Sequence, residues 1–176
     1  VQSKLDLLLQ NKDLTSDQAA LMQDIYHEIV RMSKLNRNLL FLAKIENAQY
    51  KLNGKINIAE KLQSLIPSIE LLANGINIRL CVSNKHLAVD CNEVLLESMI
   101  SNLVANAVRH NYAEGEIVIR LETSTLTVTN TSNEPSLDSA HIFERFYRSS
   151  VTQKSNGLGL AIVKSICDYN HWSVNY

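Results

Sequence analysis

The feature that most constrains the fold is a run of apolar residues, three and four positions apart, near the start of the chain. The run comprises Leu21, Ile25, Ile29, Met32, Leu35, Leu39 and Leu42. Because an α-helix turns once in about 3.6 residues, this spacing predicts one long helix with a single apolar stripe, ending at about Asn47. Thr15 and Gln18 have the spacing of a capping box at its start. Residues 1–10 are typical of the last turns of a preceding helix.

A hairpin of two such helices cannot bury so wide a stripe alone. We therefore expect a hairpin from another copy of the chain to cover it, which makes a dimeric four-helix bundle. The alternative is that the stripe packs against the remainder of its own chain. The polar segment "KLNGKIN" marks a boundary, so residues 1–53 are predicted to be the helical domain and residues 54–176 a second domain.

Composition narrows the class of protein. The chain has 176 residues, of which 45% are hydrophobic, as in a globular protein that buries a core. Its net charge of -1 gives no electrostatic reason to bind nucleic acid or an anionic membrane. Cys81, Cys91 and Cys167 lack CxxC spacing, which favours reduced thiols in cytoplasm over a disulfide framework or a zinc site. No run is apolar enough to span a bilayer, and a start at Val1 inside an apolar pattern indicates a piece of a longer protein.

Beyond the boundary, short alternating segments and helical segments follow one another without βαβ regularity. The pattern predicts strands at 56–58, 76–82, 86–89, 115–121 and 124–130, helices at 59–73, 90–110, 140–150 and 157–169, and a last strand beginning at Trp172. A bend is expected at Pro67. This order predicts an α+β fold, with an antiparallel or mixed sheet and helices on one of its faces.

Two asparagines on one helical face are the first candidate for chemistry. In "NLVANAVRHN", Asn102, Asn106 and Arg109 share a face of the predicted helix, and His110 follows. Asparagine is a mediocre helix former, so two of them among apolar residues need a reason. An amide oxygen is a suitable ligand for Mg²⁺, and the cations beside it can meet substrate phosphates. Equally, the asparagines can cap or crosslink backbone in a polar core.

Two further segments are candidates for parts of the same site. Gly157 and Gly159 open an apolar helix, where backbone N–H groups form an anion site, although glycine before a helix is often only a turn. In "IFERFYRSS", Phe143, Phe146 and Tyr147 form an apolar face between two polar loops. This face can anchor a lid over a site or form a small satellite core.

The order of these motifs resembles the ATP-binding domain of sensor histidine kinases over most of residues 54–176. Residues 31–47, "RMSKLNRNLLFLAKIEN", are similar to the second helix of the dimerisation and phosphotransfer hairpin of that family. The resemblance implies a Bergerat-type α/β sandwich from which the family's last strand, beyond Tyr176, is missing. It also implies that Mg-ATP phosphorylates a histidine, and that the phosphoryl group passes to an aspartate of a response-regulator receiver domain. Implied partners are a second copy and that receiver domain, and the whole protein is expected to be anchored in the inner membrane with this part in the cytoplasm.

The resemblance assigns roles to particular residues. Asn106 matches the Mg²⁺ ligand, with Asn102 lining the same pocket. The full nucleotide-binding set implied in this way is Asn102, Asn106, Arg109, His110, Asn130, Phe146, Gly157, Leu158 and Gly159. His27 does not match the acceptor histidine, which in the family lies on the first hairpin helix and is followed by Thr-Pro. We therefore expect His27 to be a surface residue and the acceptor to lie upstream of this chain.

Two departures from the family pattern bear on activity. In the family an Asp-x-Gly-x-Gly loop reads adenine, whereas this chain has Asn130 in the place of the aspartate and Ser132 and Glu134 in the places of the glycines. Ser155 replaces the leading glycine of the second glycine motif. One alternative is therefore a non-catalytic or weakly ATP-binding signalling scaffold. Another is a chaperone-type or mismatch-repair-type ATPase of the same superfamily, against which the hairpin and the FxRFYR segment argue.

Overall fold

The computed structural model describes residues 15–52, 54–73, 75–133, 139–148 and 156–176. The chain forms two compact units, Val1–Ala43 and Lys44–Tyr176. The described residues contain four helices, α1 (Ser16–Glu46), α2 (Ile58–Ala73), α3 (Glu93–Arg109) and α4 (Gly159–Tyr169). They also contain five strands, β1 (Lys55–Asn57), β2 (Asn77–Val82), β3 (Ala88–Asp90), β4 (Glu116–Leu121) and β5 (Leu126–Asn130).

The long helix α1 begins with the predicted capping box. The Thr15 backbone N–H donates to Gln18 Oε1 at 3.1 Å, and the Gln18 N–H donates to Thr15 Oγ1 at 3.3 Å. Four side chains of the apolar stripe, Leu21, Ile25, Met32 and Leu39, are exposed in the single chain, with Leu21 and Met32 exposing 62% and 66% of their surface, whereas Leu42 at the end of the stripe is buried. His27 is also exposed, as expected for a surface residue. The predicted preceding helix, residues 1–10, lies outside the described part of the chain.

The second unit contains a mixed sheet, which confirms that prediction. Strand β2 pairs in parallel with β4, β4 pairs antiparallel with β5, and β1 pairs antiparallel with β3 in a separate two-stranded sheet. Alternate residues of β4, namely Ile117, Ile119 and Leu121, are fully buried, as the two-residue period of a strand requires. Helices α3 and α4 supply most of the remaining core through Leu95, Leu96, Ile100, Val104, Ile162 and Ile166.

The predicted helix at 140–150 is wrong over residues 140–148, the part of it that the structure describes. Residues 139–146 form a succession of turns instead. Phe146 has a left-handed backbone with φ of 66°, and its N–H donates to Gly157 O at 2.8 Å. A residue in this conformation ends a right-handed helix, and its N–H is not available to the carbonyl oxygen four residues earlier.

The predicted last strand is also wrong, because residues 172–176 belong to no strand. The residues at the predicted start of this strand instead close the end of helix α4. His171 has φ of 58°, its N–H donates to Asp168 O at 3.2 Å, and the Trp172 N–H donates to Cys167 O at 2.8 Å. These two bonds are the Schellman arrangement that satisfies carbonyl groups at a helix end.

The packing of the second unit determines the ion pairs and pKa values of several of its side chains. Lys61 Nζ on α2 lies 2.5 Å from Glu93 Oε1 and 2.6 Å from Glu97 Oε1 on α3, and these bonds raise the pKa of Lys61. Burial raises the pKa of the thiols of Cys91 and Cys167, which are unpaired, like Cys81. In the described residues, no helix combines the length and the apolar character needed to cross a membrane.

Candidate functional site

Helix α3 carries the two asparagines, and Asn92 fixes where it starts. The Asn92 Oδ1 accepts from the backbone N–H groups of Val94 and Leu95 at 3.0 and 3.3 Å, which caps the helix. Its Nδ2 donates to Lys51 O at 2.7 Å, and the residue is only 8% exposed. The apolar side of α3 is buried in the core. The face with Asn102 and Asn106 is therefore held at a defined angle to the sheet.

Asn102 joins α3 to the start of α4. Its Nδ2 donates to Ser98 O at 2.8 Å and lies 3.3 Å from Ser98 Oγ. Its Oδ1 faces Gly159, where an added Cβ would lie 3.2 Å from that oxygen. The close approach of the two helices therefore favours glycine at 159. The contact with Ser98 is the backbone crosslink that was the alternative interpretation for these asparagines, and it applies to Asn102.

Asn106 lies one turn further along the same face and is half-buried. Within the described residues, no hydrogen bond engages its side-chain amide. Its amide atoms are not among the buried polar atoms that lack a partner, so the amide is open to solvent and available to a ligand. Asn106 thus differs from Asn102, whose amide is already bonded to its own helix.

Asn130 lies at the end of β5 and bonds to the end of α3. Its Nδ2 donates to His110 O at 3.3 Å and to Thr131 O at 2.8 Å. Because both partners are carbonyl oxygens, the NH₂ group must face them, which fixes the orientation of the amide. The Oδ1 of Asn130 is left as an acceptor on the other side. Arg109, at the last position of α3, is exposed.

The second glycine motif is packed against the aromatic segment. Gly157 has φ of 63°, and a Cβ there would lie 2.6 Å from the carbonyl carbon of Phe146. Leu158 is buried with 1% exposure and caps α4 without a side-chain hydrogen bond. The first N–H groups of α4 consequently receive no acceptor from the capping side chain. Phe146 exposes 55% of its surface, and neighbouring Arg145 pairs with Glu46.

The chain is similar in sequence to known proteins. Residues 91–176 match the family described as Histidine kinase-, DNA gyrase B-, and HSP90-like ATPase. The Heme sensor protein HssS of Staphylococcus aureus strain JH9 is 32% identical over 178 residues, covering 96% of this chain and 39% of that protein. The HssS of Staphylococcus saprophyticus is 31% identical over 159 residues, covering 87% of this chain and 35% of that protein. This chain belongs to the sensor histidine kinases. It spans less than two fifths of the length of these two relatives.

Solved structures of other sensor kinases show the same fold. The Acinetobacter baumannii histidine kinase AdeS matches with a TM-score of 0.66 and 19% identity, over 96% of this chain and 82% of that one. The mycobacterial sensor histidine kinase MprB matches with a TM-score of 0.59 and 23% identity, over 66% of this chain and 79% of that one. The α+β prediction, with a Bergerat-type ATP-binding domain, is therefore confirmed.

In this sensor-kinase chain, most of the predicted site residues fall on a connected set of elements. The α3 face links Asn102, which approaches Gly159, to His110, which bonds Asn130. The structure does not bring the Leu158 side chain to the surface, so only its backbone is available. Glu134 and Ser155 lie outside the described residues. Among the described residues, no group of three or more histidine, cysteine or acidic side chains is placed to hold a metal ion.

Sequence reasoning missed three residues that organise the site. Asn92 caps α3, and Asn111, the last residue of the first motif, bonds to Thr131, the residue after Asn130. Asn92 had a recognisable signal, because asparagine before Glu93 and an apolar run is typical of a helix start. The pair of Asn111 and Thr131 had no local signal, since its members come together only when β5 pairs with β4.

Proposed function

We propose that the chain is the dimerisation and ATP-binding core of a sensor histidine kinase, with residues 1–53 as the helical domain and 54–176 as the catalytic domain. The reaction transfers the γ-phosphoryl group of ATP to a histidine that lies upstream of this chain, and ADP leaves. A receiver-domain aspartate then takes the phosphoryl group from the histidine. The observation that carries the proposal is the side-chain amide of Asn106, which has no hydrogen-bond partner among the described residues. Asn106 lies on α3 between Asn102, which approaches Gly159, and His110, which accepts a hydrogen bond from Asn130.

The residues present fit Mg-ATP. Gly157 has a left-handed backbone, and Gly159 lies next to Asn102, so both positions favour a residue without a side chain. Phosphates can approach the backbone closely only where side chains are absent, so these glycines also suit a phosphate site. The uncapped start of α4 offers N–H groups to an anion. A bound Mg²⁺ would neutralise phosphate charge, and the Asn106 amide oxygen is the ligand that the chain would supply. Since no acidic cluster competes within the described residues, the remaining ligands would be phosphate oxygens and water.

The remaining residues of the set have supporting roles. Asn102 would line the pocket beside Gly159. The resemblance assigns Arg109 to the nucleotide phosphates, where a cation favours an anion, and His110 to the position after it, next to Asn130. Asn130 Oδ1 would accept a hydrogen bond from the adenine amino group, because its NH₂ is held by two carbonyl oxygens. As a neutral acceptor it binds more weakly than a carboxylate. Phe146, with its exposed ring, would lie beside the nucleotide at the base of a lid.

The open apolar stripe on α1 supports a homodimer. Leu21, Ile25 and Met32 are exposed in the single chain, and a solvent-facing row of large apolar side chains at helical spacing is typical of an interface. We therefore infer a four-helix bundle of two hairpins. The receiver-domain partner, the membrane anchor of the whole protein and the cytoplasmic location of this part follow from the same proposal.

The rival proposal is a scaffold that has lost kinase activity, and the side chains of Asn130 and Ser132 in the adenine loop favour it. Labelling the whole natural protein with ATP radioactive in its γ-phosphate separates the two. The kinase proposal predicts acid-labile label on the upstream histidine, which disappears in Asn106→Ala. No label at millimolar ATP would overturn it. Sedimentation of the chain tests the dimer separately, and a monomer at high concentration would contradict the bundle.

A further inference from the structure

A closed hydrogen-bond network lies where β5 ends and helix α3 has just finished. The Thr131 hydroxyl lies 2.5 Å from Asn111 Oδ1 and also accepts from the Glu116 backbone N–H at 2.9 Å. Asn111 follows α3 after one residue, and Thr131 follows β5 directly. The network therefore joins the end of the asparagine-bearing helix to the strand that carries Asn130.

Every polar atom of the Asn111 and Thr131 side chains has a partner. Asn111 Nδ2 donates to Glu116 O at 3.1 Å, and Asn111 Oδ1 accepts from the Tyr112 N–H at 2.9 Å as well as from Thr131. The Thr131 backbone N–H donates to Glu116 O at 3.0 Å. Because Nδ2 faces a carbonyl and Oδ1 faces an N–H, the amide has only one orientation that satisfies both. The threonine hydroxyl must then donate to Asn111.

Steric packing at Gly115 also holds Asn111 and Thr131 together. Gly115 is buried, and an added Cβ would overlap both Asn111 Oδ1 and Thr131 Oγ1. The network thus occupies the space that a side chain at 115 would need. A residue larger than glycine there would separate Asn111 from Thr131.

Asn130 is held between the two ends of this network. Its Nδ2 donates to Thr131 O and to His110 O, so its acceptors belong to Thr131 itself and to the residue directly before Asn111 in the chain. We infer that Asn111 and Thr131 are positioning residues that aim Asn130 Oδ1 at the nucleotide base and so determine base recognition. The inference rests on the proposed function, since it requires that Asn130 contact adenine.

The experiment compares a ligand with a base and a ligand without one. ADP and inorganic tripolyphosphate, each with Mg²⁺, are titrated into the chain by calorimetry, and thermal unfolding is followed by circular dichroism. Thr131→Val removes the hydroxyl at nearly constant shape, and Thr131→Ser restores it. Thr129→Val is the matched control, because the Thr129 hydroxyl makes only a 3.4 Å contact with Val118 O on the exposed side of the same strand.

The inference predicts that Thr131→Val binds ADP about tenfold more weakly, the effect of leaving polar partners unmatched, while tripolyphosphate affinity is unchanged. Thr131→Ser and Thr129→Val should bind ADP as the parent chain does. If Thr131→Val does not fold, Asn111→Asp gives the second measurement, since it retains the acceptor for Thr131 but turns a carboxylate oxygen, in place of the NH₂ donor, towards Glu116 O. It should also lose affinity for ADP and not for tripolyphosphate.

Two results would overturn the inference while leaving the proposed function intact. One is unchanged ADP affinity in a folded Thr131→Val or Asn111→Asp. The other is an equal loss for ADP and tripolyphosphate, which would show a structural role alone. Failure of the parent chain to bind either ligand would instead contradict the proposed function and, with it, the inference.

Discussion

Phe146 and Gly157 are joined backbone to backbone, with the Phe146 N–H donating to Gly157 O at 2.8 Å. Both residues have left-handed backbones, with φ of 66° and 63°. The contact brings the aromatic segment to the start of α4, where the glycine motif lies. It therefore gives a physical link between the predicted lid anchor and the proposed phosphate site.

Gly157→Ala should weaken nucleotide binding and lower the free energy of unfolding. Alanine pays about 1–2 kcal/mol for the left-handed backbone, and its Cβ would lie 2.6 Å from the Phe146 carbonyl carbon, which adds roughly 1–3 kcal/mol of overpacking. Gly75→Ala is the control, since φ there is 93° and nothing lies within 4 Å of the added Cβ. Urea unfolding and ADP calorimetry measure both effects. Equal stability losses in the two variants would contradict the contact.

Asn92 should contribute to stability in two separable ways. Asn92→Ser retains a helix-capping oxygen and loses the 2.7 Å bond to Lys51 O, so we expect a loss of about 1 kcal/mol in unfolding free energy. Asn92→Ala loses the cap as well and should cost about 1 kcal/mol more. Chemical denaturation of the three chains gives both differences. Serine equal to the parent would show that the bond to Lys51 contributes nothing.

The ion pairs of Lys61 should stabilise the fold in a pH-dependent way. Two glutamates raise the pKa of Lys61 above its usual 10.5, so the contribution is present below that pH and is lost as pH rises through the higher, folded-state pKa. We expect Lys61→Met to be about 1 kcal/mol less stable at pH 7, with the difference closing in strongly alkaline solution. Lys164→Met, which removes an exposed pair with Asp168, serves as control. A difference that is independent of pH would indicate packing of the Lys61 alkyl chain alone.

The periodic parts of the fold could be read from the sequence. Apolar residues at helical spacing gave α1 and α3, and alternating residues gave β4 and β5, because burial of one face selects the period. The two wrong elements have a different cause. The segment at 140–150 has a helix-compatible composition, but its backbone is used by a contact with Gly157. The segment after α4 has strand-like residues, but His171 and Trp172 close the helix instead.

The candidate site could be predicted only in part for the same reason. Motif order assigned Asn106, Asn130 and Gly157 to one predicted site, because their positions match the family pattern even though Asn130 replaces its aspartate. Long-range bonds such as the one between Thr131 and Asn111 have no such pattern, because polar residues near turns are common and their pairing depends on strand register. The difference between Asn102 and Asn106, one bonded to its own helix and one uncommitted, likewise required the structure.

Asn130→Asp should strengthen the binding of adenine nucleotides and lower the unfolding free energy of the chain without nucleotide. A carboxylate accepts a charge-assisted bond from the adenine amino group, which we expect to raise ADP affinity several-fold. Aspartate cannot donate to His110 O or Thr131 O, so unfolding free energy should fall by about 1–3 kcal/mol. Asn84→Asp, which loses one similar bond to Thr123 O away from the site, is the control. Unchanged ADP affinity in Asn130→Asp would contradict contact between residue 130 and the base.

The most direct test of the account is the Mg²⁺-dependence of ATP binding with and without the Asn106 amide. Calorimetry of ATP is carried out with Mg²⁺ and with EDTA on the parent chain, on Asn106→Ala and on Asn36→Ala, an exposed asparagine within helix α1 that shares the change in helix propensity. The account predicts that Mg²⁺ strengthens ATP binding in the parent chain and in Asn36→Ala, and that Asn106→Ala loses this effect while melting like the parent. Asn106→Ala that binds Mg-ATP with unchanged affinity would contradict the account.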